Sequence, residues 1–435
     1  MTLRFNYGKI FLLGFGFFSV SVIWGVYNAF VPIFLADRFN VAPAVIGFFM
    51  TLDNIAALFI QPPVGAWSDR LRTPIGRRMP FILVGAPITA LAFGLIPMAM
   101  VLPLFVACTA TTLLSAALWR TPVVALMPDI TPSPFRSQAN GIINFMGGIG
   151  AILALQTGGL LYKMSPNFPF WLGSALVILS ALILFFLIRE PKEHAAPAAE
   201  EAHPGMLESL RTVINEPDKS GLRILLAIFF WFLGFTAVEA FFTLYAKNHL
   251  GLHEADGATL LSVLPLFFIL FAIPSGYLAG RIGRRLTISI GLMILTGMLV
   301  LLYLVPPAAL LTGLIPLPVV GIPLEPDGPR MLTLAGSLLI WGGIGWAFIN
   351  INSLPMVVDL TGPERVGTYT GLYYLFSTFS AIVGPNVNGL AIQLTGGDYN
   401  VIMLLAPFFM LVALALMWGV QRGEARLEKR VPALG

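Results

Sequence analysis

Apolar residues run along this chain in blocks of about twenty or more, separated by short clusters of charge, Gly and Pro. A helix needs roughly 20 mostly apolar residues to cross a bilayer, whereas a membrane barrel would show alternating segments of about ten. The pattern predicts spanning helices near residues 10 to 35, 43 to 66, 80 to 101, 103 to 128, 138 to 162 and 168 to 189. A second set is predicted near 222 to 246, 258 to 280, 286 to 305, 331 to 358, 366 to 395 and 400 to 421. The windows 103 to 128 and 331 to 358 carry polar residues and internal Pro, as helices lining a wet cavity do.

The polar breaks divide the chain in two. A strongly basic loop holding Gly65, Asp69, Arg70, Gly76, Arg77 and Arg78 has a shortened echo from Gly276 to Arg281, Gly283, Arg284 and Arg285. A second correspondence joins Asp129, Arg136 and Gly141 to Asp359, Arg365 and Gly371, each set at the junction of the fourth and fifth helix of its half. Matched features at matching places mark an internal repeat, and repeats of this kind place the cargo site at their interface near the midplane. The expected fold is all-α and integral to the membrane, with twelve transmembrane helices in two pseudo-symmetric six-helix bundles. Residues 1–189 form the first bundle, 190–221 a Pro/Ala/Glu-rich linker with one short surface helix, 222–421 the second bundle and 422–435 a tail. Residues 306 to 330, rich in Pro and Gly, read as the longest outer loop, ordered by packing on the helices below.

Composition agrees. Hydrophobic residues make up 57% of the 435 and charged residues 11%, against roughly 25% charged in a soluble domain. Short cytoplasmic loops collect Lys and Arg, and placing both termini inside puts about twenty of the 25 cations there. The chain is thus expected in the inner (plasma) membrane as a multi-pass protein with cytoplasmic termini, embedded in the lipid bilayer. The net charge of +4 is then a topology signal, and no nucleic-acid partner is called for. The first apolar run is too long for a signal peptide core and lacks a small-residue cleavage site, so it reads as retained. Cys108 stands alone, without a disulfide partner. No Walker loop, catalytic triad or metalloprotease pattern occurs. The chain therefore reads as no enzyme, with no cofactor and no metal, and His249 and His253 belong to a solvated loop.

These loops resemble those of the major facilitator superfamily, whose members carry a Gly-x-x-x-Asp-Arg-x-x-Gly-Arg-Arg-type loop after the second helix. Within it, Gln61-Pro62 to Asp69-Arg70, a five-residue spacer and Gly76-Arg77-Arg78 before Pro80-Phe81 resemble the sucrose/proton symporters. The glycoside-pentoside-hexuronide:cation symporters have the same lengthened spacer, and Ala125 to Asp129 with Arg136 and Asn140-Gly141 fits this branch. Sodium-coupled relatives have an Asp-x-x-x-Asp-Pro pattern in the second helix, where this chain has Ala57 and Gln61-Pro62. The plant sucrose carriers have an Arg nearer the Asp that ends the fourth helix, whereas here Arg120 lies about a turn earlier. The resemblance implies that the first, fourth, seventh and tenth helices line a cavity.

Three ionisable residues fall inside apolar spans: Asp53, Arg120 and Glu239. Asp or Arg at a helix centre costs roughly 2.5 to 3.5 kcal/mol unless paired or wet, so such residues default to function. Glu239 is expected to carry a coupling proton, with Asp53 next, and a structural Arg–carboxylate pair is the alternative. Arg120, Asn28, Tyr27, Trp119, Asn350, Asn352 and Tyr373 are the expected cargo ligands, since amides donate and accept and aromatic faces stack on sugar C–H surfaces. Each is alternatively glue between helices. Asp69, Arg70, Arg77, Arg78, Asp129, Arg136, Asp359 and Arg365 are expected gating residues, or else topology anchors. The expected function is proton-coupled symport of a sugar or glycoside by a monomer working through alternating access. An exporter of hydrophobic drug-like compounds and a non-transporting membrane sensor are the alternatives.

Overall fold

The computed structural model describes residues 6–131, 136–190, 206–318, 320–325, 328–360 and 366–423. Arg365, residues 191–205 of the predicted linker and most of the predicted tail lie outside these residues, as does the side chain of Arg136.

Among the described residues, twelve helical stretches are long and apolar enough to cross a bilayer. In chain order these spans are Tyr7–Arg38, Pro43–Arg70, Met79–Met98, Leu102–Ile130, Ala139–Met164 and Phe168–Leu187 in the first half. The second half has Ser220–Asn248, Glu254–Ile282, Arg284–Leu304, Leu334–Val358, Tyr369–Leu394 and Tyr399–Trp418. A short helix, Met206–Asn215, precedes the seventh span and packs against the seventh and eleventh.

Three local departures from the sequence expectation matter. The second span is broken at Met50–Thr51, where the Thr51 hydroxyl donates to the Phe48 carbonyl at 2.7 Å. Asp53, expected midway along that helix, therefore sits in the first turn of its second piece, Leu52–Arg70. The tenth span starts at Leu334 instead of 331, because Arg330–Thr333 is a strand. It pairs antiparallel with Gly313–Pro316 (β1) and Ile322–Pro323 (β2), giving the order β1-β3-β2 with Arg330–Thr333 as β3.

The halves meet along three seams, first span to seventh, second to eleventh and fifth to eighth. The last two are related by the pseudo-symmetry, and both close at the end opposite the basic loops. There Lys163 reaches Asp256 at 2.6 Å, and Lys247 bridges Asp37 of the first half and Glu254 of the second. Gln156 donates to the Ser262 hydroxyl at 2.7 Å and Asn386 to that of Thr51 at 3.3 Å. Backbones approach so closely that side chains are excluded. A Cβ on Gly389 would lie 2.5 Å from the Pro43 carbonyl oxygen, and one on Gly159 2.6 Å from that of Ala255.

At the basic end the described ion pairs stay within one half. Arg77 and Arg78 hold Asp69 and Asp129 in the first half, and Arg284 holds Asp359 in the second. Among the described residues, ion pairs thus join the halves at one end and none joins them at the other. If Gly389 keys the shut end, Gly389→Val forces the halves apart there. Spin labels at Asn40→Cys and Thr395→Cys, in a Cys108→Ala background, will report a longer separation than in the parent. Gly297→Val, with nothing near its Cβ position, will leave the distance unchanged.

Candidate transport chamber

A chamber of about 400 Å³ lies between the halves, below the shut end. Helical periodicity supplies its two main walls, since residues three and four apart share a face. On the first span Ser21, Trp24, Gly25 and Asn28 form one stripe, and on the seventh Phe232, Phe235, Thr236 and Glu239 form the other. The fifth, eighth, ninth, tenth and twelfth spans complete the lining, with Leu155, Phe268, Met298, Trp346 and Met410 among its residues. Trp346 stacks on Phe235 with centroids 3.6 Å apart and meets the edge of Phe232 at 5.2 Å, so the second-half wall is a continuous aromatic surface.

Glu239 is the one ionisable residue in that lining, and its exposed surface is given to the chamber. Among the described residues nothing donates a hydrogen bond to it and no cation lies within ion-pair distance. Asn28 has no hydrogen-bond partner among them either, while Thr236 spends its hydroxyl on the Phe232 carbonyl at 2.8 Å. Asp53, on the second span, interacts electrostatically with Glu239 across the seam, and with Tyr27 and Arg120 inside its own half. It accepts a hydrogen bond from Asn54 at 2.9 Å, and Arg120 does not close to an ion pair with it.

Of the expected cargo ligands, only Asn28 lines this chamber. Trp119 is sequestered between the third and fourth spans, its indole donating to Thr89 at 3.1 Å. Asn352 donates to Ser275 on the eighth span at 2.9 Å and to its own helix at the Phe348 carbonyl. Tyr373 shares a hydrogen bond of 3.0 Å with Ser353 and supports Phe232 edge-on from behind. Tyr27 is buried beside Trp24, with no partner for its hydroxyl among the described residues. Arg120 and Asn350 are half-buried and off the lining. The aromatic residues Phe232, Phe235 and Phe268 were not singled out in the sequence, because Phe is abundant on every face of these helices.

The basic loop gathers around one buried cation. Arg78, only 4% exposed, donates from Nε to Asp129 at 3.0 Å and also holds Asp69 and Ser68, while Arg77 reaches Asp129 at 2.6 Å. Arg70 is exposed. Sequence reading missed Glu190, whose carboxylate accepts from the Arg78 backbone N–H at 3.0 and 3.1 Å, at the start of the third span where the helix dipole favours negative charge. Burial nevertheless holds the Glu190 pKa above its ordinary 4.5. A carboxyl raised on folding contributes stability fully below that value and loses it as pH rises through the folded one. The melting temperature of the parent relative to Glu190→Gln will therefore decline as pH is raised from about 4 to 8, read by thermal unfolding of purified protein.

Several known proteins are similar to this chain. Multidrug resistance protein 2 of Bacillus subtilis (strain 168) is 22% identical over 415 residues, covering 94% of each chain. Quinolone resistance protein NorA of Staphylococcus aureus (strain MSSA476) is 23% identical over 265 residues, which span 61% of this chain and 65% of that protein. Among solved structures, a variant of the nucleoside transporter NupG superposes with a TM-score of 0.73 at 16% identity, covering 95% of this chain and all of the other. A bacterial homolog of the human lysosomal transporter Spinster, inward-facing and occupied, gives 0.69 at 14% identity, covering 94% and 95%. At these identities the superpositions speak to the fold. The family model for the Major Facilitator Superfamily matches residues 13–385, and the chain belongs to that superfamily of membrane transporters.

Proposed function

We propose that this transporter exports largely apolar, drug-like small molecules in exchange for protons, with Glu239 as the group on which the exchanged proton rides. One observation carries the reading: a single unpartnered carboxylate sits in a chamber walled by Trp24, Phe232, Phe235, Phe268 and Trp346. Aromatic faces and the pliable Met298 and Met410 accept varied apolar shapes. A sugar needs many fixed donors and acceptors, yet Asn352, Asn386 and Gln156 are bonded between helices. The likeness to two drug-resistance proteins points the same way.

With the basic end in the cytoplasm of a plasma-membrane protein, as its cations favour, the present form faces inward. Asp53 acts as a second carboxylate whose charge Arg120 offsets. Asp69, Arg77, Arg78 and Asp129 in one half, and Arg284 with Asp359 in the other, exchange partners within a half for partners across the seam when the basic end closes, with Arg70, Arg136 and Arg365 as further gating cations.

Proton-coupled import of a glycoside is the second reading. The spacing from Asp69 to Gly76 and the free amide of Asn28 one turn from Trp24 favour it, and with it the sucrose-symporter branch.

Proteoliposomes of fixed orientation separate the two. Export predicts that a proton gradient drives ethidium out of the cytoplasmic-side compartment while labelled sucrose stays put. Glu239→Gln will cut gradient-driven dye transport by roughly a hundredfold, the scale on which a lost proton-transfer group acts, and will remove the pH dependence of ethidium binding. Sucrose accumulation down the proton gradient without dye movement defeats the export reading.

A further inference from the structure

We propose that the loop between the ninth and tenth spans is a membrane foot. Its edge strand, Gly313–Pro316, lies in the lipid leaflet at the shut end and fixes the second half there. The partner is the bilayer itself, and the proposal stands whichever cargo is carried.

The loop has the composition of a segment kept from water. No Asp, Glu, Lys, Arg or His occurs between Arg285 and Glu325, although residues 306 to 324 lie beyond the end of the ninth span at Leu304. Yet protein does not cover its edge. Leu314 is 49% exposed, Ile315 52% and Leu324 41%, with Pro316 and Pro318 exposed beside them. The strand order shows which way this edge faces. β2 packs on the start of the eighth span beside the seam, β3 runs into the tenth span, and β1 is left on the side away from the seam. One face of the ninth span, marked by exposed Met293, Leu301 and Leu304 at helical spacing, leads up to the loop as a continuous apolar surface.

Unpaired backbone groups are the main penalty for irregular chain at lipid depth, and here few are left. Ala309 and Leu310 donate to Pro306, Leu311 to Pro307 and Thr312 to Ala309. Leu317 donates to the Arg330 carbonyl at 2.9 Å, Gly321 to Leu317 at 2.8 Å and Leu334 to Thr312 at 3.1 Å. Pro306, Pro307, Pro316, Pro318 and Pro323 have no N–H to satisfy. The nearest cation, Arg330, is turned onto the loop itself, its Nε donating to the Gly321 carbonyl at 2.8 Å. The first half repeats the arrangement at the matching place. Residues 99–101, which join the third and fourth spans, hold no charge, and Met98, Met100 and Val101 are exposed. There Arg38 is drawn onto the carbonyls of Pro97 and Ala99 at 2.7 and 2.9 Å. So short a turn stays at the lipid boundary, and the longer loop presents the same kind of surface beside it.

The test uses full-length Cys108→Ala protein in lipid vesicles, carrying the dye NBD on one introduced cysteine at a time. Leu314→Cys and Ile315→Cys probe the edge, Glu325→Cys the tip of the loop, Leu304→Cys a lipid-facing reference and Asn40→Cys a reference for water. Quenching by lipids with nitroxides at two depths will place the labels at 314 and 315 about 5–10 Å below the headgroup boundary, where interfacial apolar elements lie. Aqueous iodide will quench them no more than the label at 304, while the label at 325 will behave as the one at 40. Iodide quenching at 314 and 315 equal to that at 40, without quenching by nitroxide lipid, overturns the foot. Shielding from both quenchers means that a second copy of the chain covers the edge, and overturns it as well. Two edge sites keep the answer available where one variant fails to fold.

Discussion

Hydrocarbon offers a charge no partner, and where this chain puts its charges follows from that. A carboxylate or guanidinium must lie at a span's end, be paired, or face an aqueous chamber. Arg78 and Asp129 take the first two solutions together at the basic end, and Lys163 with Asp256 does so at the other. Glu239 takes the third. The two ends differ in what their ion pairs join. At the basic end the pairs neutralise charge inside each half, so the halves part there without giving up one of them. At the shut end the pairs cross the seam, and opening it exposes Asp256, now 7% exposed, together with backbone that Gly159 and Gly389 let approach. The form described here is therefore held by the seam at its shut end, and any transition must offset the loss of that seam with new contacts at the basic end.

How much of this was legible in the sequence depended on range. Twelve spans are set by run length and hydropathy, local properties that a bilayer reads without regard to tertiary partners. Glu239 stood out for the same reason, as a carboxylate in an otherwise apolar run. The break at Met50–Thr51 was not visible, because the apolar pattern continues across it and only the Thr51 hydroxyl turned back on Phe48 marks it. The sheet before the tenth span was hidden too, its strands being four residues or fewer and interrupted by Pro and Gly. Amides were the least legible. Whether Asn352 meets cargo or Ser275, 77 residues away, is decided by which helices become neighbours. Glu190 was lost to its position before Pro191, where composition turns to linker although the side chain folds back onto Arg78.

The chamber's two facing stripes tie cargo to motion. Ser21, Trp24 and Asn28 belong to one half, and Phe232, Phe235 and Glu239 to the other, so a molecule filling the space makes contacts that bridge the halves at mid-depth. Such contacts favour whichever state brings the stripes closest, and a ligand shifts an equilibrium only by its difference in affinity between states. Asp53 adds an opposing contribution. It shares the first half with Arg120 and acts electrostatically on Glu239 in the second, so two carboxylates of opposite halves interact across the seam. Under the export reading, closure with Glu239 charged and the chamber empty brings like charges together in a medium that screens them poorly. A proton on Glu239 removes that repulsion, and a cationic cargo beside it does the same. Exchange of one for the other then follows from a shared carboxylate, with no need for a separate site for each.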